Sequence, residues 1–426
     1  MNKDKWQERF QKIKERLSFL GFTDYEDLDD LSDVTEMPLY GHEEEDGLSF
    51  RERLRRNRQR RWLLRGLVVI ILVGVVAAFY TYNQTHTFED YIISKSIDNT
   101  VTSGTQYVEA EKYLYRYNTD GVTCVNLNNE VEWSITYSMQ APIVDICGTT
   151  MVIAEQQGTQ VYVVNEDGLL GNFTCLLPIL KVRVSNQGVV AVVLQDDDVT
   201  WVRLYDANGE SIANDKTTIS DSGYPLDVDL SPNGEKMVVS YLGILEGVMT
   251  STIVFYDFGS EGDSSLDYVV NSETISGNIV PQVYFTDNTT AAAIADNGFL
   301  VFKGSILEKS VEYWFDDEIV SCFYDDDTIG FLFLESSGES IYRMELYNYR
   351  GKQKVSVGVD TNFDTVKMEN GQILMYTSSS VCVYTKKGRL RFSSAYEKEI
   401  TDIFYFSEYR RYLVITRDSF DRIRIC

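Results

Sequence analysis

Two histidines, His42 and His86, are all the imidazole this 426-residue chain has, and neither falls in the part of the sequence that repeats. Ser-His-Asp or Cys-His catalysis needs an imidazole beside its nucleophile, and a His-based zinc site needs several, so both chemistries are excluded there. The six cysteines (Cys124, Cys147, Cys175, Cys322, Cys382, Cys426) form no CxxC and no paired spacing. Several sit in strand-like runs such as SCFYD and SVCVY, where a thiol behaves as a small buried hydrophobe. Free buried thiols are the expectation, with disulfides in an oxidising compartment as the alternative. The acidic runs at 196–198, 316–318 and 325–327 lack the Gly-kinked ligand spacing of a calcium loop, and no GxGxxG, Walker, HExxH or EF-hand pattern occurs. Neither a metal nor a cofactor is expected. Carboxylate-pair glycan hydrolysis stays open, because residues 66–426 carry 50 acidic side chains, yet no spacing singles out a pair.

Whatever chemistry there is must be positioned by the elements around it. Residues 1–50 carry 6 basic and 14 acidic groups, residues 51–65 carry 8 Arg and 1 Glu, and residues 66–426 carry 25 basic groups against their 50 acids. A body so acidic repels phosphate backbones, which excludes nucleic acid as a general partner. Its simplest consequence is solubility; attraction for a basic peptide or a divalent ion is the sharper one.

The segment RRWLLRGLVVIILVGVVAAFYTYNQ, residues 60–84, is the most apolar in the chain. As a helix, Trp62–Tyr82 rises about 31 Å, the thickness of a hydrocarbon core. Arg65 lies one turn from its end and can reach the headgroups, while Trp62 at one boundary and Phe79, Tyr80 and Tyr82 at the other form an interfacial girdle. Arg55, Arg56, Arg58, Arg60, Arg61 and Arg65, with Arg51 and Arg53 before them, crowd one side; the next basic residue is Lys95, beyond the span. Positive charge stays inside, so the N-terminus is expected in the cytoplasm and residues 83–426 outside. Cleavage as an export signal is the rival reading, opposed by the length of the leader and by the girdle.

Before the span, Trp6, Phe10, Ile13 and Leu17 form one stripe of an amphipathic helix over residues 1–21, a surface for the inner leaflet or a cytoplasmic partner of residues 5–20. Residues 22–61 read as a linker, acidic and then Arg-rich, without fixed structure.

Past Tyr82 the periodicity changes to two. VYVVNEDGLL, VRLYDANGES, MELYNYRGKQ and VCVYTKKGRL share an alternating run, polar residues, a glycine and a second strand. The glycines are Gly168, Gly209, Gly351 and Gly388, with Gly259 and Gly304 as looser matches. Their spacing of about 40–45 residues is that of a propeller blade with four short strands. Units at 104–138, 141–176, 178–220, 224–276, 278–317, 318–359, 362–397 and 398–426 predict an all-β propeller of eight blades, with seven as the alternative. The last unit has at most three strands, so the isolated EDYIISKSI, residues 89–97, is expected to complete it and remove an open edge. In the long fourth unit, GILEGVMTST and GSEGDSSLD are expected to form loops.

The SPNGEKMVV segment is similar to the turn of TolB-like and WD-repeat-like propellers. From GTQYVEAEKYLYRYNTDG through APIVDICG, LPILKVRVSNQGVVAVVL and SGYPLDVDLSPNGEKMVVSYL, over roughly residues 50–426, the chain resembles the bacterial membrane proteins designated domain of unknown function 5711. The resemblance implies an Arg-rich cytoplasmic segment, one span, an extracytoplasmic propeller and a Gram-positive bacterium, and no reaction. Eight blades also suggest PQQ-like dehydrogenases, but their tryptophan-docking repeat is missing: the body holds only Trp133, Trp201 and Trp314. The sequence thus leads to a membrane-anchored, non-enzymatic binding or scaffolding module for envelope proteins, peptides or glycans. A carboxylate-dependent glycan hydrolase is the alternative.

Overall fold

A computed structural model describes residues 50–99, 104–197, 199–218, 223–259, 262, 266–335, 338, 340–405 and 410–426. The stripe of Trp6, Phe10, Ile13 and Leu17 and the acidic spacer up to residue 49 lie outside the described residues. The chain divides into two compact units, Met1–Tyr80 and Thr81–Cys426.

A single helix runs from Phe50 to Thr85. It takes in Arg55, Arg56, Arg58, Arg60 and Arg61, where an irregular linker was expected. Arg, Leu and Gln are strong helix formers, and neither Gly nor Pro interrupts residues 50–65. Every side chain from Trp62 to Ala78 is exposed, Leu63 by 72% and Ile70 by 71%. Among the described residues no helix is long and apolar enough to cross a membrane. Phe79 and Tyr80, which the expected 62–82 span includes, lie outside the described side chains.

The second unit is an eight-bladed β-propeller. Eight four-stranded antiparallel sheets follow one another in the sequence, spanning 106–136, 142–174, 179–218, 224–276, 282–314, 319–359, 365–395 and 400–425, here blades 1 to 8. Seven blades are thereby excluded. Blade 8 has three strands of its own and takes the strand Tyr91–Asp98 as its outermost fourth. The ring is closed by residues about 330 positions apart, and the expected completing strand is the one that does it.

The apolar residues assemble into eight separate clusters, each between two neighbouring blades. This is why the second strand of a blade reads as a continuous apolar run, as in TAAAIA (Thr290–Ala295) and TIGFLFL (Thr328–Leu334): it is covered on both faces. Outer strands alternate instead, as in EKSVEYW (Glu308–Trp314).

Gly168, Gly209, Gly304, Gly351 and Gly388 hold positive φ at the turn between third and fourth strands. Gly259 does not take that role. GILEGVMTST forms no loop but lengthens two paired strands, Lys236–Leu245 and Val248–Asp257, joined through Glu246 and Gly247. An aliphatic segment with alternating strand partners gains ladder hydrogen bonds by staying extended.

Strand alternation assigns every turn to a face. The first-to-second and third-to-fourth turns of all blades emerge on one face, and the second-to-third turns and the links between blades on the other. Tyr91–Asp98 leads into a link, so it starts on the first of these, the entry face.

Candidate functional site

The innermost strands of the blades line the axis, and there the alternation is broken by charge: IVDIC in blade 2, KVRV in blade 3 and LDVDL in blade 4. A recurrent tie holds them. Asp145 accepts from the Val184 N–H at 2.8 Å, Asp227 from Val283 at 3.0 Å, Asp229 from Phe285 at 2.7 Å and Glu369 from Tyr405 at 2.9 Å. In each case a carboxylate bonds the innermost strand of the next blade. The buried N–H gains a partner, and the carboxylate keeps one oxygen for the axis.

Arg183 gathers three of these acids. Its Nη2 donates to Asp227 Oδ1 at 3.0 Å, its Nη1 lies 3.8 Å from Asp145 Oδ1, and its Nε lies 3.9 Å from Asp229 Oδ1. Asp227, almost wholly buried, also receives Lys181 Nζ at 2.9 Å. Asp145 and Asp229 are therefore in electrostatic contact with Arg183 but beyond hydrogen-bond reach of it. Beside them is a cavity of about 250 Å³, lined among others by Asp145, Cys147, Arg183, Asp229, Tyr284 and Tyr324. It sits where the innermost strands end, toward the entry face. The rings of Tyr284 and Tyr324 stack with centroids 3.6 Å apart, the Tyr284 hydroxyl meets that of Tyr349, and Gln282 donates to the Tyr324 hydroxyl.

Burial splits the two carboxyls. It raises Asp145 to about 6, against the pull of Arg183 and the Val184 N–H. It raises Asp229 further, to about 8, helped by the negative charge of Asp145. Of the two, Asp229 is held more strongly toward its protonated form. Burial opposes the Arg183 charge, but Asp145, Asp227 and Asp229 outweigh it and hold the guanidinium above its usual range. Burial likewise lifts the Cys147 thiol to about 11 and Tyr324 above the usual phenol range, so both stay neutral. The cavity thus presents an acceptor, a carboxylic donor, a bound cation and aromatic surface. That set can hold a neutral polar group such as a sugar ring or an amide.

A second charged cluster faces the axis from blades 7, 8 and 1. Lys367 Nζ lies 2.7 Å from Glu369 and 2.9 Å from Asp402, over the Phe404 ring, and Tyr376 donates to Asp402. Burial, followed by the charge of Glu369, raises Glu109 of blade 1 to about 8.

Neither cluster was singled out by the sequence reading. The signal was there in DVD and KVRV, charges on alternate positions of an innermost strand, but the strand's place in the ring has to be known to read it. The acidic run at 325–327 is a turn whose Asp325 and Asp327 pair with Lys386, and Asp317 pairs with Arg343. Among the described residues, no group of three or more His, Cys, Asp or Glu is placed to hold a metal ion. Cys124, Cys175 and Cys382 are buried, Cys147 and Cys322 half-buried and Cys426 exposed, all with free thiols.

Residues 84–425 match a family model described as a family of unknown function, DUF5711. No curated protein has a matching sequence. Among solved structures, the chain is similar to BamB from Moraxella catarrhalis, at 10% identity and TM-score 0.50 over 79% of this chain and 100% of that one. It is also similar to the dihydro-heme d1 dehydrogenase NirN, at 10% identity and TM-score 0.51 over 78% of each chain. At such identities the likeness is one of fold alone.

Proposed function

On the premise that the chain belongs to the DUF5711 family of unknown function, we propose that it is a membrane-anchored β-propeller whose axial cavity binds a polar ligand of the cell envelope, a glycan unit or a peptide amide. The observation that carries the binding reading is that Asp145, Asp229 and Arg183 line one cavity beside the stacked rings of Tyr284 and Tyr324, with burial holding Asp229 more strongly toward its protonated form than Asp145. Neutral polar ligands are held by such mixed donor and acceptor sets over aromatic surface. The anchor reading is supported by the exposed apolar row Trp62–Ala78 and the arginines before it. It places the N-terminus in the cytoplasm and the propeller outside a bacterial cell membrane. Titration of the purified full chain with a panel of wall glycans and peptides tests the binding reading: saturable binding lost in Asp145→Ala supports it, and binding indifferent to that change removes the cavity from it. A full-length protein that leaves membranes in a carbonate wash removes the anchor.

The second reading is a carboxylate-dependent glycan hydrolase. The unequal upward shifts of Asp145 and Asp229 favour it, since an acid and a base need carboxyls of different proton affinity. Turnover of any glycan in the same panel, abolished in both Asp145→Asn and Asp229→Asn, would establish it.

A further inference from the structure

We infer that the face opposite the entry face carries, over blades 4 to 6, a docking surface for a basic, aliphatic-rich polypeptide segment of another protein. This surface is separate from the axial cavity, and its occupancy requires neither the cavity's ligand nor the anchor.

At its centre stands the hairpin that GILEGVMTST builds. The second and third strands of blade 4, Lys236–Leu245 and Val248–Asp257, have ten residues each, against five to seven in the other blades. The first strand of the blade begins opposite Leu242, and the fourth ends opposite Thr250. The tip therefore projects past both neighbours by about three residues, or about 10 Å. In it Ile244 lies across from Met249 and Leu245 across from Val248, which puts one aliphatic pair on each side of the hairpin. All four are exposed, Ile244 by 74% and Leu245 by 60%. Glu246 is the one charge among residues 243–249. An antiparallel ribbon that ends in water keeps at least one side polar, and aliphatic side chains grouped on both mark a contact surface.

Hydrogen bonds fasten the base of this hairpin to a strip of acids. The Gly277 N–H donates to the Met249 carbonyl at 2.8 Å, Asn278 Nδ2 to Asp296 Oδ1 at 3.2 Å, and the Phe315 N–H to the Asn297 carbonyl at 2.8 Å. Asp316, Asp317 and Glu318 follow and are exposed, as are Trp314 and Val320 on either side of them. Apolar and acidic groups thus alternate from blade 4 to blade 6. The turns and links that make up this sector, residues 246–247, 277–281, 296–297 and 315–318, hold no Lys or Arg. At its edges Arg343 is shared by Asp317, Glu335 and Glu345, Lys181 is held by Asp227, and Lys216 lies in the outermost strand of blade 3.

Charge chooses the occupant. A second copy would set the same acids against each other, in a chain whose net charge is already −26. An anionic bilayer or a nucleic acid meets the same repulsion from Glu246 and the run at 316–318. A segment in which Lys or Arg alternates with aliphatic residues answers both features: its cations reach Asp316 and Glu318 while its aliphatic side chains cover the hairpin.

The test titrates the full chain, held in a non-ionic detergent, with a short peptide of alternating Leu and Lys, and reads amide hydrogen exchange. The expected result is a saturable slowing at residues 243–249 and 315–320 of about fivefold or more. The half-saturating concentration should rise about tenfold or more in an Ile244→Asn/Leu245→Asn chain and in a D316N/E318Q chain, both sets of positions being exposed and the melting temperature unchanged. Unaltered exchange at these residues, or equal binding by the hairpin variant, overturns the docking surface. Equal binding of a peptide of alternating Leu and Glu overturns the assignment to a basic partner, and equal binding of oligolysine overturns the aliphatic part. Protection of residues 243–249 that grows with the concentration of the protein alone, or that phosphatidylglycerol vesicles produce in place of the peptide, makes the occupant a second copy or a bilayer and overturns the proposal.

Discussion

Tyr91 lies directly across the ladder from Ile425, so the first strand of the propeller and the last are sheet partners. Upstream of that pairing, Phe88 is 5% exposed and inserts into the cluster between blades 7 and 8, its N–H bonded to the Arg391 carbonyl. Ring closure therefore depends on a short segment whose loss opens two sheet edges and one inter-blade core at once. Phe88→Ala should cost about 3–5 kcal/mol. Urea unfolding of the purified protein measures it, and a loss below about 1 kcal/mol would mean that the segment is a passenger on a ring closed by other contacts.

Asp229 and Glu109 are both raised to about 8 by burial. An unfolded carboxyl titrates near pH 4, so between about pH 4 and 8 the folded state holds protons that the unfolded state has released. The stability these groups contribute is complete below pH 4 and is lost as pH rises through 8, by at most about 1.4 kcal/mol per pH unit for each group. Asp229→Asn should flatten the fall in melting temperature between pH 5 and 8. An identical slope in the variant would show that Asp229 is ionised throughout.

Arg183 stands between three acidic side chains, with Asp227 as its closest partner. Arg183→Met takes away the ion-pair partner of the buried Asp227, and about 3 kcal/mol of stability should go with it. Asp227→Asn in the same chain should restore part of that loss. The two changes added together would then overestimate the double variant's destabilisation. Strict additivity, measured by denaturant midpoints, would place the pair's effect elsewhere.

Gly330 lies in the second strand of blade 6, where a Cβ would stand 2.2 Å from the Phe323 ring and 2.9 Å from Leu346. Its backbone is ordinary, so the requirement is for space and not for a positive φ. Gly330→Ala should lose about 1–3 kcal/mol by overpacking, and Phe323→Leu should recover some of it. A neutral G330A in thermal unfolding would mean that the Phe323 ring has room to swing away.

Much of this architecture is legible in the amino-acid sequence alone. Period-two alternation identified strands, the repeat of Gly168, Gly209, Gly351 and Gly388 identified blades, and a last unit one strand short called for EDYIISKSI to complete it. These are local consequences of chain chemistry: an alternating strand must bury one face, and a reversal needs a residue tolerant of positive φ. The extent of the helix was misjudged because arginine density was read as disorder, although Arg is among the better helix formers.

The site was a different matter. Asp145, Arg183, Asp227 and Asp229 are scattered over 85 positions on three blades, and each looks like one more charge in an acidic chain. Only the ring places their strands side by side around one axis, where contact with water is reduced and neighbouring carboxyls can no longer ionise independently.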